Sequence, residues 1–299
     1  NKTLLYFTRP DLLLYKMKQV IFRFSRKSNN EFINIEGYRS ASDDSQYTKI
    51  VRLAATSEKY FKSFKRDPSY YAILENVTEE QGKAYLEILE KRVDSILDNS
   101  GKLFSFDNLG NPVKYNYENH GLLSPQTLRY LKVVSDLKDL FGDTYGDVAE
   151  IGAGYGGQLL ACDYFFKIKR YHIFDLPPVN LLINRYLESF VLNNSFETNT
   201  LNTSHLINYD LVISNYAFSE LPREYQKVYI EKVLKHSNKG YLTMNSGKEE
   251  PSGRNSDKLS IDELRQLLPE FSIIEEKPLT SPYNYIIVWG HKSESSLIS

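Results

Sequence analysis

The sequence has very little cysteine: Cys162 is the only one among 299 residues, so no disulfide can form within the chain. It also has no excess charge of one sign, because 37 Lys and Arg stand against 38 Asp and Glu. That balance excludes a protein that holds nucleic-acid phosphates through its overall field. No apolar run approaches the ~18–20 residues that span a bilayer. These absences predict a cytoplasmic protein with no membrane span and no nucleic-acid partner.

Aromatic side chains, in contrast, are abundant, with 23 Tyr and 16 Phe against a single Trp. Such side chains either pack a core or line a binding surface, and composition does not distinguish the two. The charged fraction of 25% and the hydrophobic fraction of 41% are those of an ordinary globular protein.

The pattern of apolar residues changes near the middle of the chain, which predicts two regions. Residues 1–123 show helical spacing and no sustained strand pattern. We expect a helical region there that covers the site, forms a homodimer interface, or does both. A capping box formed by Thr78 and Gln81 predicts a helix whose apolar spacing reaches Leu97. Another helix is predicted from about Asp43 to Phe64.

Residues 124–299 alternate short apolar strands with helices, which is typical of a mostly parallel sheet covered on both faces. Ser124 and Pro125 predict the start of the first helix of this region. The last two predicted strands, 272–275 and 285–289, are too close in sequence for a helical crossover, so we expect an antiparallel pair at the sheet edge. The predicted fold class is α/β, with a Rossmann-like sheet and a helical N-terminal region.

The run from Glu150 to Gly157 (Glu-Ile-Gly-Ala-Gly-Tyr-Gly-Gly) leaves a predicted strand and enters a predicted helix. Glycines permit positive φ and a close approach of a ligand, and the helix N-terminus supplies free N–H groups. Gly152, Gly154 and Gly157 match the dinucleotide pattern G-x-G-x-x-G. Gly152, Gly154 and Gly156 match the E-x-G-x-G-x-G loop of methyltransferases that use S-adenosylmethionine. The pattern predicts a cofactor site and leaves the cofactor open.

Asp175 follows the next predicted strand, where an acid accepts ribose hydroxyls in both cofactor classes. The same side chain would also serve as the N-cap of the helix that begins near Pro178. Glu150 favours the methyl donor, because the first strand of a dinucleotide fold is normally apolar to its end. The terminal antiparallel strand pair favours it as well.

Six segments carry a resemblance to a known family. They are Asp107–Pro112 (DNLGNP), Ser124–Tyr130 (SPQTLRY), Glu150–Gln158 (EIGAGYGGQ), Asp175–Pro177 (DLP), Ser214–Leu221 (SNYAFSEL) and Gly240–Gly247 (GYLTMNSG). In these segments the chain resembles the sugar O-methyltransferase family of class I S-adenosylmethionine-dependent enzymes.

The resemblance implies a class I methyltransferase sheet and S-adenosylmethionine as the cofactor. It also implies that the acceptor is a hydroxyl of a sugar or glycan intermediate in surface polysaccharide biosynthesis. The residues expected to contact the cofactor are Glu150, Gly152, Ala153, Gly154, Tyr155, Asp175, Leu176, Asn215 and Tyr216.

Methyl transfer to a hydroxyl needs an in-line geometry and a group that takes the hydroxyl proton. Glu220, in the loop after the fourth strand, and His120, in the loop before the sheet region, are the candidate bases. Glu220 could equally be a charge that stabilises the first turn of the helix that follows it. His120 could equally be a loop histidine that faces solvent. Tyr155 and Tyr216 either face the sulfonium with their rings or pack in the core.

Two other function classes stay open. A nicotinamide-dependent oxidoreductase would use the same glycine loop, and a non-catalytic methyltransferase-like scaffold would need no base. The segment 246–260 is expected to be a mobile lid or a solvated loop, and Arg254 within it suits a phosphate or a solvated surface. No metal-ligand spacing occurs in the sequence, so no metal site is predicted.

Overall fold

The computed structural model describes residues 45–92, 96–98, 100–201, 207–245 and 258–291. Most of the segment predicted as a lid or solvated loop, including Arg254, lies outside these ranges.

The described elements fall into an N-terminal set of helices with a short hairpin, followed by alternating strands and helices. The helices are α1 (Ser45–Thr56), α2 (Glu58–Phe61), α3 (Pro68–Leu74), α4 (Glu79–Glu90), α5 (Pro125–Phe141), α6 (Gly157–Phe165), α7 (Pro177–Leu187), α8 (Ala217–Glu220), α9 (Arg223–Lys232) and α10 (Ile261–Leu267). The strands are β1 (Tyr115–Tyr117), β2 (Gly121–Leu123), β3 (Thr144–Ile151), β4 (Lys167–Phe174), β5 (Ser195–Asn199), β6 (Tyr209–Asn215), β7 (Ser237–Met244), β8 (Ser272–Glu275) and β9 (Tyr285–Trp289).

Capping side chains set the helix starts in the N-terminal part. Thr78 Oγ1 accepts from Gln81 N at 3.2 Å, and Gln81 Oε1 accepts from Thr78 N at 3.0 Å, so the predicted capping box is confirmed. The extension of this helix to Leu97 is wrong. α4 ends at Glu90, and soon after it Arg92 donates to Asp136 of α5 at 2.7 Å. This tertiary ion pair fixes the chain that follows the helix.

Two other details of the N-terminal part differ from the sequence prediction. The helix predicted to reach Phe64 is interrupted, because Ser57 has an extended backbone between α1 and α2. Strands β1 and β2 form a hairpin that the sequence analysis missed. Its turn uses positive φ at Asn119 (65°) and Gly121 (78°), and three-residue strands are too short to show an alternating pattern.

The main sheet has the strand order β5-β4-β3-β6-β7-β9-β8. Strands β5, β4, β3, β6 and β7 are parallel, whereas β9 runs antiparallel to both of its neighbours, β7 and β8. The predicted Rossmann-like α/β fold and the antiparallel pair at the edge are therefore confirmed. The strand that runs against the others is β9, second from the edge. At its junction with β7, Gly240 leaves room for the ring of Trp289.

Strand β5 was not predicted, and its position explains why. It lies at the sheet edge and pairs with β4 alone, and none of its side chains is fully buried. An edge strand exposed in this way does not need the apolar pattern by which strands are recognised.

Most of the large aromatic side chains belong to the core. Tyr47, Tyr70, Tyr155 and Tyr186 are all at most 3% exposed and lie in one hydrophobic cluster that joins the N-terminal helices to the sheet region. Tyr186 keeps its hydroxyl hydrogen-bonded by donating to the carbonyl of Phe106 at 3.1 Å. The tyrosine excess is thus largely a packing feature, and the division of the chain at residue 123 stays a prediction.

Candidate cofactor-binding site

The glycine loop lies between β3 and α6, at the carboxyl edge of the parallel strands. Gly152, Gly154 and Gly156 have φ values of 76°, 65° and 90°, a region that other residues rarely adopt. A Cβ on Gly152 would also overlap the Cβ of Ala217, the first residue of α8. The loop after β3 and the loop after β6 therefore touch, as ligand-binding loops of an open α/β sheet do.

Asp175 is joined directly to the glycine loop. Its Oδ2 accepts from Gly154 N at 3.2 Å, and its Oδ1 accepts from Leu176 N at 2.8 Å. Burial raises the pKa of Asp175 to about 6, against the lowering effect of backbone N–H groups of Leu176, Gly154 and Ala153. The N-cap of α7 is Leu176, so the carboxylate points to the loop instead of capping the helix. The structure thus brings together the loop and the acid, as expected.

Glu150 is the last but one residue of β3 and precedes the glycine loop. It is 2% exposed, and its Oε2 accepts from the hydroxyl of Tyr171 on β4 at 2.8 Å. Burial raises its pKa to about 8, the bond from Tyr171 opposes this, and the charge of Asp175 adds to it. The hydrogen bond between Glu150 and Tyr171 therefore joins β3 to β4.

Tyr155 packs in the core, and its ring face is covered. The ring centroid lies 4.8 Å from that of Tyr186 and 6.1 Å from that of Phe64. The ammonium of Lys65 stands 3.9 Å from the Tyr155 centroid and donates to the Tyr186 hydroxyl at 3.2 Å. The cation that faces this ring is therefore a lysine of the N-terminal region. Lys65 could not be predicted from the sequence, because its partners Tyr155 and Tyr186 are far away in the chain.

The loop after β6 is tied to its neighbours by side chains. Asn215 Nδ2 donates to Gln158 Oε1 at 3.2 Å, which anchors the end of β6 to the first turn of α6. Tyr216 has a positive φ of 69° and donates its hydroxyl to Glu276. The guanidinium of Arg129 lies 5.5 Å from the centroid of the Tyr216 ring. Both predicted residues are at the expected edge, and their side chains are bound to other parts of the protein.

The two candidate bases lie in different settings. Glu220 is exposed at the end of α8, and its Oε1 accepts from Asn245 Nδ2 at 2.8 Å. Asn245 follows β7, so Glu220 is at the carboxyl edge of the sheet. His120 lies in the hairpin turn, with its Nε2 at 3.0 Å from Glu90 Oε1 on α4. The contacts of His120 are made within the N-terminal region.

A group of polar side chains at this edge could not be predicted as a site from the sequence. It comprises the buried Tyr70, Glu75 and Gln126 and the half-buried Arg129, and we call it the polar cluster. The atoms of this group that lack a hydrogen-bond partner among the described residues are Tyr70 Oη, Glu75 Oε1, Gln126 Oε1, Gln126 Nε2 and Arg129 Nε. Gln126 and Arg129 both lie in the SPQTLRY segment, so the family resemblance already marked the part of the chain that carries them.

Neither a metal-binding cluster nor a membrane-spanning helix occurs in the described ranges. There, no three side chains of His, Cys, Asp or Glu converge in a way that could hold a metal ion. In the same ranges, every helix is too short or too polar to cross a membrane.

No protein-family model and no curated protein matches the chain. Solved structures with a similar fold include the N-methyltransferase NodS from Bradyrhizobium japonicum, at 12% identity and a TM-score of 0.41 over 54% of this chain and 92% of that one. Magnesium protoporphyrin IX methyltransferase from Synechocystis, with bound S-adenosylmethionine, has 16% identity and a TM-score of 0.39 over 54% and 77%. A methyltransferase from Aquifex aeolicus that depends on S-adenosylmethionine has 16% identity and a TM-score of 0.41 over 53% and 87%.

Proposed function

We propose that the protein is an S-adenosylmethionine-dependent O-methyltransferase that acts on a hydroxyl of a sugar or glycan intermediate. The observation that carries the proposal is the antiparallel strand β9 between β7 and β8, on a sheet that bears the glycine loop. A plain doubly wound dinucleotide sheet continues in parallel at that edge. This difference favours the methyl donor over a nicotinamide cofactor.

The residues at the carboxyl edge fit such a cofactor. Gly152, Gly154 and Gly156 hold the loop in its positive-φ conformation, and side chains of the protein fill the space where their Cβ atoms would lie. Asp175 offers a half-buried carboxylate, and a pair of ribose hydroxyls would take the place of the Gly154 N–H as its hydrogen-bond donors. When bound, S-adenosylmethionine would supply a methyl group on a positively charged sulfur. Asn215 and Tyr216 would border that methyl group from the loop after β6.

The sugar acceptor rests on the resemblance of the SPQTLRY and SNYAFSEL segments, and the polar cluster supports it. Hydroxyls both donate and accept hydrogen bonds, and the cluster offers an amide, a phenol, a carboxylate and a guanidinium. We place the reaction in the cytoplasm, in surface polysaccharide biosynthesis, with a homodimer as the working assembly. Glu220 and His120 are the bases that the sequence proposed.

Calorimetry with S-adenosylmethionine and with nicotinamide dinucleotides tests the cofactor. We expect the wild type to bind S-adenosylmethionine and its demethylated product but not the dinucleotides. Asp175→Asn should weaken this binding by ~10–100-fold, the worth of hydrogen bonds to a charged group. Asp143→Asn is the matched control, because Asp143 lies exposed beside the amino end of β3.

Transfer of a radiolabelled methyl group to a panel of nucleotide sugars and methyl glycosides tests the acceptor. Methylation of a sugar hydroxyl is the expected result. A wild type that does not bind S-adenosylmethionine contradicts the proposal, and one that binds a dinucleotide instead is an oxidoreductase candidate. Binding without transfer to any acceptor would favour the scaffold.

A further inference from the structure

We infer that the polar cluster of Tyr70, Glu75, Gln126 and Arg129 is the acceptor site, and that Glu75 takes the proton from the acceptor hydroxyl. The inference rests on the proposed function. It assigns a new base and locates the sugar between the N-terminal helices and the sheet.

The position of Glu75 follows from the end of α3. Leu74 is the last residue of that helix, and its Cδ1 lies 3.2 Å from the place that a Cβ on Gly154 would occupy. The next residue, Glu75, is 5% exposed. The C-terminal end of α3 is therefore packed on the glycine loop, and Glu75 lies beside the proposed cofactor site.

The other side of the cluster comes from the first turns of α5. Gln126 and Arg129 are three residues apart, so their side chains lie on the same face of the helix. Arg129 also approaches the ring of Tyr216, which follows β6. Since the β6 loop touches the glycine loop at Ala217, the cluster stands between the two loops that would border the methyl group.

The hydrogen bonding of the cluster is incomplete, which is unusual for buried groups. Gln126 is 1% exposed and Tyr70 is 0% exposed, yet the amide of the first and the hydroxyl of the second have no partner within the described part of the chain. Nearly all buried polar groups are paired, because a buried group that has lost its water and gained no partner is unfavourable. A ligand rich in hydroxyl groups, such as a sugar, would satisfy donors and acceptors together.

Two charged side chains near the polar cluster, Asp107 and Lys65, already have hydrogen-bond partners, and we therefore regard them as structural. Asp107 accepts from Ser124 N at 2.7 Å and from Thr127 Oγ1 at 2.6 Å, so its carboxylate holds the start of α5. Lys65 is bound to Tyr186. Glu75 keeps its Oε1 without a partner from any described residue.

The surroundings of Glu75 suit a base that works near neutral pH. Burial raises its pKa to about 7, and the charge of Asp107 adds to this effect. The positive charges of Lys65 and Arg129 and a hydrogen bond from Tyr155 oppose it. The other ionisable groups that interact with Glu75 are the phenols of Tyr70, Tyr71, Tyr130 and Tyr186. A general base works best when its pKa is close to the operating pH.

Glu75 accepts the hydroxyl proton at Oε1 while the acceptor oxygen forms its bond to the methyl carbon. The carbon–sulfur bond breaks, and its electron pair stays on sulfur, which becomes neutral. Arg129 and Gln126 orient the neighbouring hydroxyls of the sugar, which aligns the reacting oxygen.

The first test compares Glu75→Gln with Glu87→Gln in the full chain. Glu87 is an exposed carboxylate on α4 and is the matched control. Both variants should bind S-adenosylmethionine as the wild type does. Glu75→Gln should lower kcat for methyl transfer to the sugar panel by ~100-fold or more, the usual effect of losing a general base. A wild-type rate in Glu75→Gln, with the loss found in Glu220→Gln instead, overturns the assignment.

The second test needs no acceptor. Urea unfolding of the wild type and of Glu75→Gln is measured from pH 5 to pH 8. Because the carboxyl of Glu75 resists ionisation in the folded protein, the wild type should lose stability over this range and the variant should lose less. The urea midpoint of Glu75→Gln should therefore rise relative to the wild type with pH. A difference that does not depend on pH, or that falls, overturns the inference, because Glu75 would then be a paired structural carboxylate.

The two proposals fail in different ways. A wild type that does not bind S-adenosylmethionine removes the proposed function and, with it, this inference. If the cofactor binds and no member of the panel is methylated, the unfolding measurements alone decide the state of Glu75.

Discussion

Gly152 and Ala217 are in contact across the carboxyl edge of the sheet, and a Cβ on Gly152 would overlap the Cβ of Ala217. The first residue belongs to the loop after β3, and the second begins α8, after β6. Ser214 reinforces the contact, because its hydroxyl donates to the carbonyl of Ile151 at 2.9 Å. The two loops therefore form one surface, and a change in either should affect the other.

Gly152→Ala should disrupt this surface. The φ of 76° at Gly152 is unfavourable for alanine by ~1–2 kcal/mol, and the overlap with Ala217 adds to that. We expect a loss of ~2–4 kcal/mol in the free energy of unfolding, measured in urea, together with loss of S-adenosylmethionine binding. Gly121→Ala is the control, because Gly121 has a similar φ of 78° and nothing within 4 Å of its Cβ position. Equal losses in both variants would contradict the overlap.

Much of the fold could be predicted from the sequence, because its signals are local. The cap of Ser124 on Gln126 N, at 3.2 Å, and the glycine loop each depend on a few neighbouring residues. The close spacing of β8 and β9 gave the antiparallel pair. Strand β5 and the hairpin were missed, because an exposed edge strand and three-residue strands do not need an apolar pattern.

The site was predicted in part, and the difference lies in long-range contacts. Asp175 and the glycine loop each follow one of two adjacent strands, so the sequence could place both at one site, although it did not predict the bond between Asp175 and Gly154. The ring of Tyr155 is covered by Lys65, which is 90 positions earlier in the chain and offers no local sign of its role. Glu75 is equally remote from the motifs, and only the packing of α3 on the glycine loop reveals it.

The affinity for S-adenosylmethionine should depend on pH through Asp175. Burial raises its pKa to about 6, and only the ionised carboxylate accepts from both ribose hydroxyls. Binding should therefore be constant from pH 7 to 8 and weaken as the pH falls below about 6. Calorimetry from pH 5 to 8 measures this. Asp175→Asn should bind weakly at every pH, and a wild-type affinity that does not change with pH would exclude this role.

His172 is a structural histidine and should not affect cofactor binding. It is 0% exposed, with Nδ1 at 2.7 Å from Glu197 Oε1 and Nε2 at 3.2 Å from Asp147 Oδ1. Although burial raises the pKa of both carboxyls, hydrogen bonds that include those from His172 lower them below their usual values. Both groups thus add stability that is present above their unfolded pKa values and lost as the pH falls through the folded ones.

His172→Phe should consequently lower the free energy of unfolding by ~1–3 kcal/mol at pH 7, since Asp147 and Glu197 lose their contacts to the imidazole. The two carboxylates keep their hydrogen bonds from Lys169 and Asn199. Between pH 7 and pH 4, this variant should lose less of its free energy of unfolding than the wild type does. Urea unfolding at pH 7 and pH 4 measures both effects. Unchanged stability, or weakened binding of S-adenosylmethionine in a folded variant, would contradict a structural role.

Lys65→Met should raise the pH at which Glu75 ionises. The charge of Lys65 is the largest influence that lowers the pKa of Glu75, so its removal moves this pKa above about 7. The stability lost through Glu75 as pH rises would then be lost over a higher pH range. The pH dependence of unfolding, compared with that of Lys83→Met on the exposed face of α4, measures the shift. A shift to lower pH would contradict the electrostatic coupling.

Gln126→Leu should make the protein more stable and less active. The amide of Gln126 is buried without a partner among the described residues, so an apolar side chain of similar size removes an unpaired group worth about 1–3 kcal/mol. Gln158→Leu is the matched control, because Gln158 is equally buried but accepts from Asn215 at 3.2 Å. Loss of this hydrogen bond in Gln158→Leu should destabilise the fold by ~1–3 kcal/mol. Urea unfolding gives the opposite signs expected for the two variants, and the KM for the sugar acceptor should rise in Gln126→Leu. If Gln126→Leu destabilises the protein as much as Gln158→Leu does, Gln126 is part of the fold and not of an acceptor site.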